Sequence, residues 1–156
     1  RQPDFVEQLR ESIERSGANP SLLKLELTES VVLEDLEDVI NRMLQIKALG
    51  VTFSLDDFGT GFSSLSYLKR LPLDQVKIDQ SFVRDVATDA NDAAIVRAII
   101  AMSRSLGMEV IAEGVETNEQ LTFLSVSGCP NYQGYLFSRP LPLAQFETFV
   151  EQALRI

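Results

Sequence analysis

Polar side chains that could bind a metal ion or transfer a proton recur at a regular place in this chain of 156 residues. They fall in short segments that have the pattern of β-strands, in which alternate residues point to opposite faces. Apolar side chains take one face of each segment, and a charged or amide side chain lies on the other. These polar residues are Glu26, Asp56, Lys77, Glu113 and Gln133, and four of the five lie near the end of their segment.

Carboxylates gathered at one end of a sheet are suited to binding a cation. Carboxylates that are removed from water must bind cations or change their pKa values. We therefore predict that Glu26, Asp56, Asp57 and Glu113, together with Lys77, form a site for a divalent cation. Ligand sets made only of oxygen atoms favour Mg²⁺ or Mn²⁺ over zinc.

Each of these residues also has an ordinary structural interpretation. Glu26 could lie on a solvated strand face, and 56–57 could cap a helix. Glu113 and Glu116 could complement a helix dipole, and for Glu116 this interpretation is as good as a functional one. Lysines such as Lys77 are mostly exposed. Independent surface charges would not all fall on one parity of the strands, so the combination favours a functional site.

The composition excludes several classes of chemistry. The chain contains no histidine, which rules out Ser-His and Cys-His catalysis and histidine-containing zinc sites. Its net charge of −9 gives no general attraction for DNA or RNA. The single cysteine, Cys129, allows no intrachain disulfide and suits a reducing compartment, so we expect a cytoplasmic domain, whether or not the parent protein is anchored in a membrane.

Helical and strand-like segments alternate along the chain. Apolar periodicity predicts helices over 4–15, 37–49 and 92–106, and two further helices that begin at Thr117 and Pro142. Gln120, three residues after Thr117, predicts a capping box at the start of the first of these two helices. Strands are predicted over 22–28, 51–57, 75–79, 108–113 and 132–137. This alternation is typical of parallel βα units in an α/β fold.

Five βα units fit either a doubly wound open sheet or part of a (β/α)8 barrel, which typically needs about 250 residues. Charged residues at the carboxyl ends of the strands favour the barrel, because barrel active sites lie at that mouth. The glycine-rich stretch 57–65 contains Asp-Phe-Gly, as protein kinases do, but the chain has no upstream Gly-x-Gly-x-x-Gly loop and no catalytic-loop histidine. We expect a flexible loop over the barrel mouth instead.

Five segments resemble, in order, the motifs of EAL domains, a family of bacterial signalling modules. They read Glu26-Leu-Thr-Glu29, Asp56-Asp-Phe-Gly-Thr-Gly61, Lys77-Ile-Asp79, Ala112-Glu-Gly-Val-Glu-Thr117 and Gly128-Cys-Pro-Asn-Tyr-Gln-Gly-Tyr-Leu-Phe-Ser-Arg-Pro140. The family's E-x-L-x-R strand and a metal-binding asparagine have no counterpart here. The resemblance implies that residues 1–156 form a single partial EAL domain. This would be the C-terminal two-thirds of a TIM-like (β/α)8 barrel, with about five of its eight strands and without its N-terminal third.

The resemblance also implies an activity, the metal-dependent hydrolysis of one phosphodiester bond of cyclic di-GMP to give linear pGpG in bacterial second-messenger signalling. Two ions, Mg²⁺ or Mn²⁺, would activate water and stabilise charge on the phosphate. Glu26 and Asp56 would be metal ligands, and Asp57 would serve the second ion. Lys77 would position the attacking water, and Glu113 would be the general base or a second-metal ligand acting through water.

Further roles follow from the same resemblance. Gln133 would orient water or metal, and Glu116 is a secondary candidate. Glu29 would anchor the loop over 58–64. That loop, with the helix after it, would form a homodimer contact through residues Phe58, Gly59, Thr60 and Gly61. A GGDEF or sensor domain could precede the chain in its parent.

Alternative functions stay open at this point. The parent could be a non-catalytic cyclic di-GMP receptor or a protein-interaction module, and another metal-dependent (β/α)8 enzyme is a weaker possibility. Two open sheet edges are expected to invite pairing with another chain. We expect the 156-residue chain by itself to be inactive, because the resemblance places several ligands outside it.

Overall fold

The structure of the chain is a computed structural model that describes residues 4–28, 36–59 and 65–153. Its centre is a five-stranded parallel sheet with the strands side by side in chain order. The strands are β1 (Lys24–Thr28), β2 (Thr52–Phe58), β3 (Gln75–Ile78), β4 (Glu109–Ala112) and β5 (Asn131–Tyr132). The predicted α/β fold with parallel βα units is confirmed.

Helices connect the strands. They are α1 (Phe5–Ser16), α2 (Leu36–Lys47), α3 (Leu65–Leu68), α4 (Gln80–Arg84), α5 (Ala90–Ser105), α6 (Asn118–Ser127) and α7 (Leu143–Ala153), with a 3₁₀ turn at Pro20–Leu22. The predicted capping box of Thr117 and Gln120 is present at the start of α6. Helices α3 and α4 were not predicted, because four or five residues are too few to show a helical period.

The core lies between one face of the sheet and the helices. Parallel pairing of Leu55 with Val76, and of Val76 with Val110, places these side chains on the same face. All three are at most 5% exposed, as are Val96 and Ile100 of α5. Full burial of an aliphatic side chain of this kind contributes about 1.5–3 kcal/mol, so this face fixes the sheet and leaves the opposite face for polar residues.

A β-bulge interrupts β2. The pairing with β3 shifts between Leu55 and Phe58, and Asp57 inside the shift has a φ of 54°. An extra residue in a strand reverses the alternation beyond it. As a result Phe58, predicted to belong to a surface loop, is instead the last residue of β2 and is buried in the core.

The last strand is shorter than the predicted 132–137. It ends at Tyr132, and the chain turns over residues 134–137. The prediction that Gln133 lies within this strand is therefore wrong, because Gln133 directly follows it. The backbone of Gly134 passes so close to Val115 that a Cβ atom at Gly134 would lie 2.2 Å from the Val115 carbonyl oxygen. Backbone hydrogen bonds from the Val115 amide to the Gln133 carbonyl and from the Leu136 amide to the Val115 carbonyl hold the two segments together. Among the described residues, no helix is both long and apolar enough to cross a membrane.

Candidate active site

Lys77 lies at the centre of a cluster of carboxylates on the polar face of the sheet. Its Nζ atom is 2.9 Å from Glu26 Oε1, 2.9 Å from Asp56 Oδ1 and 2.8 Å from Glu113 Oε1. These partners come from β1, β2 and the residue after β4. Only 7% of the Lys77 side chain is exposed. Burial alone would lower the pKa of the ammonium group, but hydrogen bonds to the three carboxylates outweigh burial and raise the pKa, so Lys77 stays charged.

The bulge in β2 brings a second aspartate to the same place. In a regular strand Asp56 and Asp57 would point to opposite faces. With Asp57 in its left-handed conformation, carboxylate oxygens of Asp56, Asp57 and Glu113 all lie within 4.8 Å of one another. Desolvation and the negative charges of Asp56 and Asp79 raise the pKa of the Asp57 carboxyl. A backbone held in a sparsely populated region at such a cluster is a feature of functional sites.

Glu113 links the cluster to the loop that follows β4. Its amide donates to the carbonyl of Ile78 at 3.1 Å, which extends the β3–β4 pairing by one bond. Its Oε1 atom accepts a hydrogen bond from Gln133 Nε2 at 2.6 Å as well as the bond from Lys77. Burial raises the pKa of the Glu113 carboxyl, and the negative charges of Asp56 and Glu26 raise it further. Lys77 lowers this pKa, but the net pKa stays above its ordinary value.

The donor set fits a divalent cation. Three carboxylates within 4.8 Å of one another repel each other, and a bound cation removes that repulsion. The whole chain lacks histidine, and carboxylate ligands of this kind are those that Mg²⁺ and Mn²⁺ prefer. Asp56, Asp57 and Glu113 are therefore the residues that could hold a metal, with Glu26 beside them at Lys77.

An open cavity of about 520 Å³ adjoins the cluster. Glu113 and Gln133 form the side nearest the carboxylates. Glu116 also lines it, and so does Arg139, whose guanidinium lies 4.6 Å from the ring centroid of Tyr135. The cavity thus joins an acidic cluster to a cationic and aromatic wall, an arrangement that can receive a phosphorylated ligand with a planar ring.

Most of the predicted site residues meet. Glu26, Asp56, Lys77, Glu113 and Gln133 form one connected set of ion pairs and hydrogen bonds, and Asp57 lies beside Asp56. Glu116 is separate from the Lys77 cluster and is exposed on the cavity wall. Phe58 lies in the core, with Gly59 directly after it. The predicted residues Glu29, Thr60 and Gly61 lie outside the described residues.

Three further polar residues were not predicted to take part in the site. Asp79 contacts Asp57 by a side-chain hydrogen bond, and hydrogen bonds from Ser81 lower the pKa of Asp79 although burial alone would raise it. Strand parity could have found Asp79, which lies two residues after Lys77. Arg139 and the buried Gln120 lie outside the strands, so strand parity could not indicate them.

Three comparisons with known proteins agree. The family model described as "EAL domain" matches residues 1–140. The cyclic di-GMP phosphodiesterase NbdA of Pseudomonas aeruginosa is 48% identical over 146 residues, which are 94% of this chain and 19% of the relative. The solved structure of PaMucR phosphodiesterase in a c-di-GMP complex matches with a TM-score of 0.88 and 46% identity, covering 93% of this chain and 59% of that chain.

A Klebsiella pneumoniae structure bears on the metal. The manganese/cy-diGMP complex of BlrP1 matches with a TM-score of 0.82 and 36% identity, covering 89% of this chain and 36% of that chain. Solved neighbours are EAL domains with a TIM-barrel-like fold. The chain spans about a fifth of the length of the curated relatives it matches (19% of NbdA).

Proposed function

The chain belongs to the EAL domain family, and from this we propose that it is the catalytic part of a cyclic di-GMP phosphodiesterase, which hydrolyses one phosphodiester bond to give linear pGpG. The observation that carries the proposal is the cluster around Lys77. Four carboxylates and one ammonium group from neighbouring strands lie together there, and one of them, Glu113, lines an open cavity. The same residues can hold a metal ion and accept a proton from water, which is what hydrolysis of a phosphodiester requires.

We assign the metal-binding role to the carboxylates of Glu26, Asp56 and Asp57. One or two divalent ions bound there would polarise the phosphate and lower the pKa of a water molecule. The presence of manganese in the BlrP1 complex supports this assignment. The left-handed backbone of Asp57 further supports it, because the strain serves to turn a second carboxylate toward the first.

Glu113 is assigned as the general base. Its raised pKa makes its carboxylate a better proton acceptor than an ordinary surface glutamate. The water that loses this proton adds to phosphorus, the bond from phosphorus to one ribose O3′ breaks, and that oxygen takes up a proton. Lys77 holds the carboxylates and the water in place, and the amide of Gln133 fixes the orientation of Glu113.

Further parts of the proposal concern the parent protein. MucR, a bifunctional diguanylate cyclase/cyclic di-GMP phosphodiesterase of P. aeruginosa, is 47% identical over 141 residues, which supports an upstream GGDEF or sensor domain. We propose a homodimer through the segment 58–64 and the helix after it, with Glu29 as the loop anchor and Glu116 as a secondary site residue. The expected compartment is the cytoplasm, where the buried thiol of Cys129 stays reduced.

The test is product analysis with cyclic di-GMP and Mg²⁺ or Mn²⁺, using the longest natural chain that contains this sequence and its Glu113→Gln variant. The proposal predicts pGpG from the unmodified protein and a loss of at least about 100-fold in the variant. A folded protein that binds cyclic di-GMP and never cleaves it would instead make these residues a binding site.

A further inference from the structure

The loop that carries Glu113 is held in place by hydrogen bonds that its backbone amides donate. In this loop, residues 113–117, the amide of Glu113 donates to the Ile78 carbonyl, and the amide of Val115 donates to the Gln133 carbonyl at 3.0 Å. The amides of Glu116 and Thr117 both donate to a side chain, the Oε1 atom of Gln120, at 2.7 and 3.0 Å. Among these four bonds, only the pair to Gln120 depends on the identity of a side chain.

Gln120 also connects the loop to a different element. Its Nε2 atom donates at 3.0 Å to the carbonyl of Arg84, at the end of α4 and 36 residues away. Helix α4 follows directly after β3, the strand of Lys77. At the start of α4, Gln80 presses against the loop, since a Cβ atom at Gly114 would lie 2.6 Å from Gln80 Cβ. The loop is therefore packed on α4 at one point and tied to it at another.

These bonds exceed what a helix cap requires. A capping box needs only the reciprocal bonds between Gln120 and Thr117, and both are present. The additional bonds to the Glu116 amide and the Arg84 carbonyl satisfy groups outside α6. Gln120 is 5% exposed, so water cannot easily replace them.

We infer that Gln120 is a positioning residue for the reaction, which holds the Glu113 loop against α4 so that Glu113 meets Lys77 and Gln133. This inference rests on the proposed function, because it concerns the activity of Glu113. Gln120 touches neither Lys77 nor Gln133 in the contacts described, and it acts through the loop backbone. Its loss changes the geometry of the base, whereas the side of the cavity formed by Tyr135 and Arg139 lies outside the loop and stays in place.

The experiment compares Gln120→Met with Thr117→Ala in the longest natural chain that contains this sequence. Thr117→Ala removes the threonine half of the capping box and leaves every bond of the Gln120 side chain intact. It therefore controls for a weakened helix cap. In Gln120→Met, amide hydrogen exchange over 113–117 is expected to be at least about tenfold faster. The kcat is expected to fall about tenfold, with KM within about twofold of the unmodified value. Thr117→Ala is expected to change neither the loop exchange rate nor kcat by more than about twofold.

Two results overturn the inference. One is loop exchange in Gln120→Met that matches the unmodified protein. The other is a kcat loss that Thr117→Ala reproduces, which would make Gln120 a helix cap only. If Gln120→Met does not fold, Gln120→Glu takes its place. The glutamate side chain keeps an acceptor for the amides of Glu116 and Thr117 and loses the donor to the Arg84 carbonyl. An unchanged kcat in Gln120→Glu also overturns the inference. If the unmodified protein hydrolyses nothing, the proposed function fails, and the exchange comparison still decides whether Gln120 holds the loop.

Discussion

Replacing Lys77 by methionine removes the only ammonium that contacts Glu26, Asp56 and Glu113 in the described structure. Removing one partner from a buried ion cluster costs about 3–5 kcal/mol. The Glu26 side chain is 53% exposed and solvent screens its ion pair with Lys77. We therefore expect a smaller loss of unfolding free energy, about 2–3 kcal/mol. For a domain of this size that loss lowers Tm by about 5–10 °C.

The pH of the assay follows from the sign of the pKa shift. The folded-state pKa of Lys77 is raised, so its contribution to stability is fully present below its ordinary pKa of 10.5. The contribution is lost only as the pH rises through the higher folded value. Thermal unfolding at pH 7 with a chelator therefore measures all of it.

A divalent cation should compensate for the missing ammonium. Saturating Mn²⁺ supplies positive charge to the same carboxylates, and we expect it to reduce the Tm difference between Lys77→Met and the unmodified protein by half or more. Lys24→Met is the matched control, because Lys24 is partly exposed and 4.0 Å from its partner Glu109; we expect a change below about 1 kcal/mol. A loss below about 1 kcal/mol in Lys77→Met, or a difference that Mn²⁺ leaves unchanged, would refute the reasoning.

Three further predictions concern the same site. Glu113→Gln should leave the metal-free Tm unchanged or slightly raised, because the raised folded pKa of Glu113 favours folding only below its ordinary pKa of 4.5 and that contribution is lost as the pH rises through the folded value. A thermal scan at pH 7 that showed a fall in Tm above about 5 °C would contradict this. Asp57→Asn should at least halve the rise in Tm produced by Mn²⁺. The control Asp85→Asn, at a half-exposed side chain paired with Arg84, should not, and equal responses of the two variants would remove Asp57 from the metal site. Gly134→Ala should destabilise the fold by about 2–4 kcal/mol in urea unfolding, because its Cβ would overlap the Val115 backbone. Gly107→Ala, where there is space for a Cβ but φ is also positive, should cost about 1 kcal/mol, and similar values for the two variants would show that the approach of Gly134 to Val115 is not a constraint.

Strand parity was sufficient to predict the centre of the site. Glu26 and Lys77 lie in different strands, yet each alternates with apolar neighbours, and that pattern alone places both side chains on one face. The alternation of helices and strands likewise predicted the parallel sheet. These features depend on local spacing, which a sequence displays directly.

Other features depend on contacts between distant segments. The bulge that turns Asp57 toward Asp56 and buries Phe58 arises from the pairing of β2 with β3, and no local pattern marks it. The early end of β5 is accompanied by the approach of Gly134 to Val115, a residue of the loop after β4. The bond from Gln120 to Arg84 spans 36 residues, so the sequence shows the capping box and conceals the link.

The most direct test of the account is hydrolysis of cyclic di-GMP in ¹⁸O-labelled water with Mn²⁺, followed by mass analysis of the product. The account predicts linear pGpG with one ¹⁸O atom on its 5′-phosphate, formed by the longest natural chain that contains this sequence and abolished by a chelator. Intact cyclic di-GMP after prolonged incubation with folded, metal-loaded protein, or a product without the label, would contradict it.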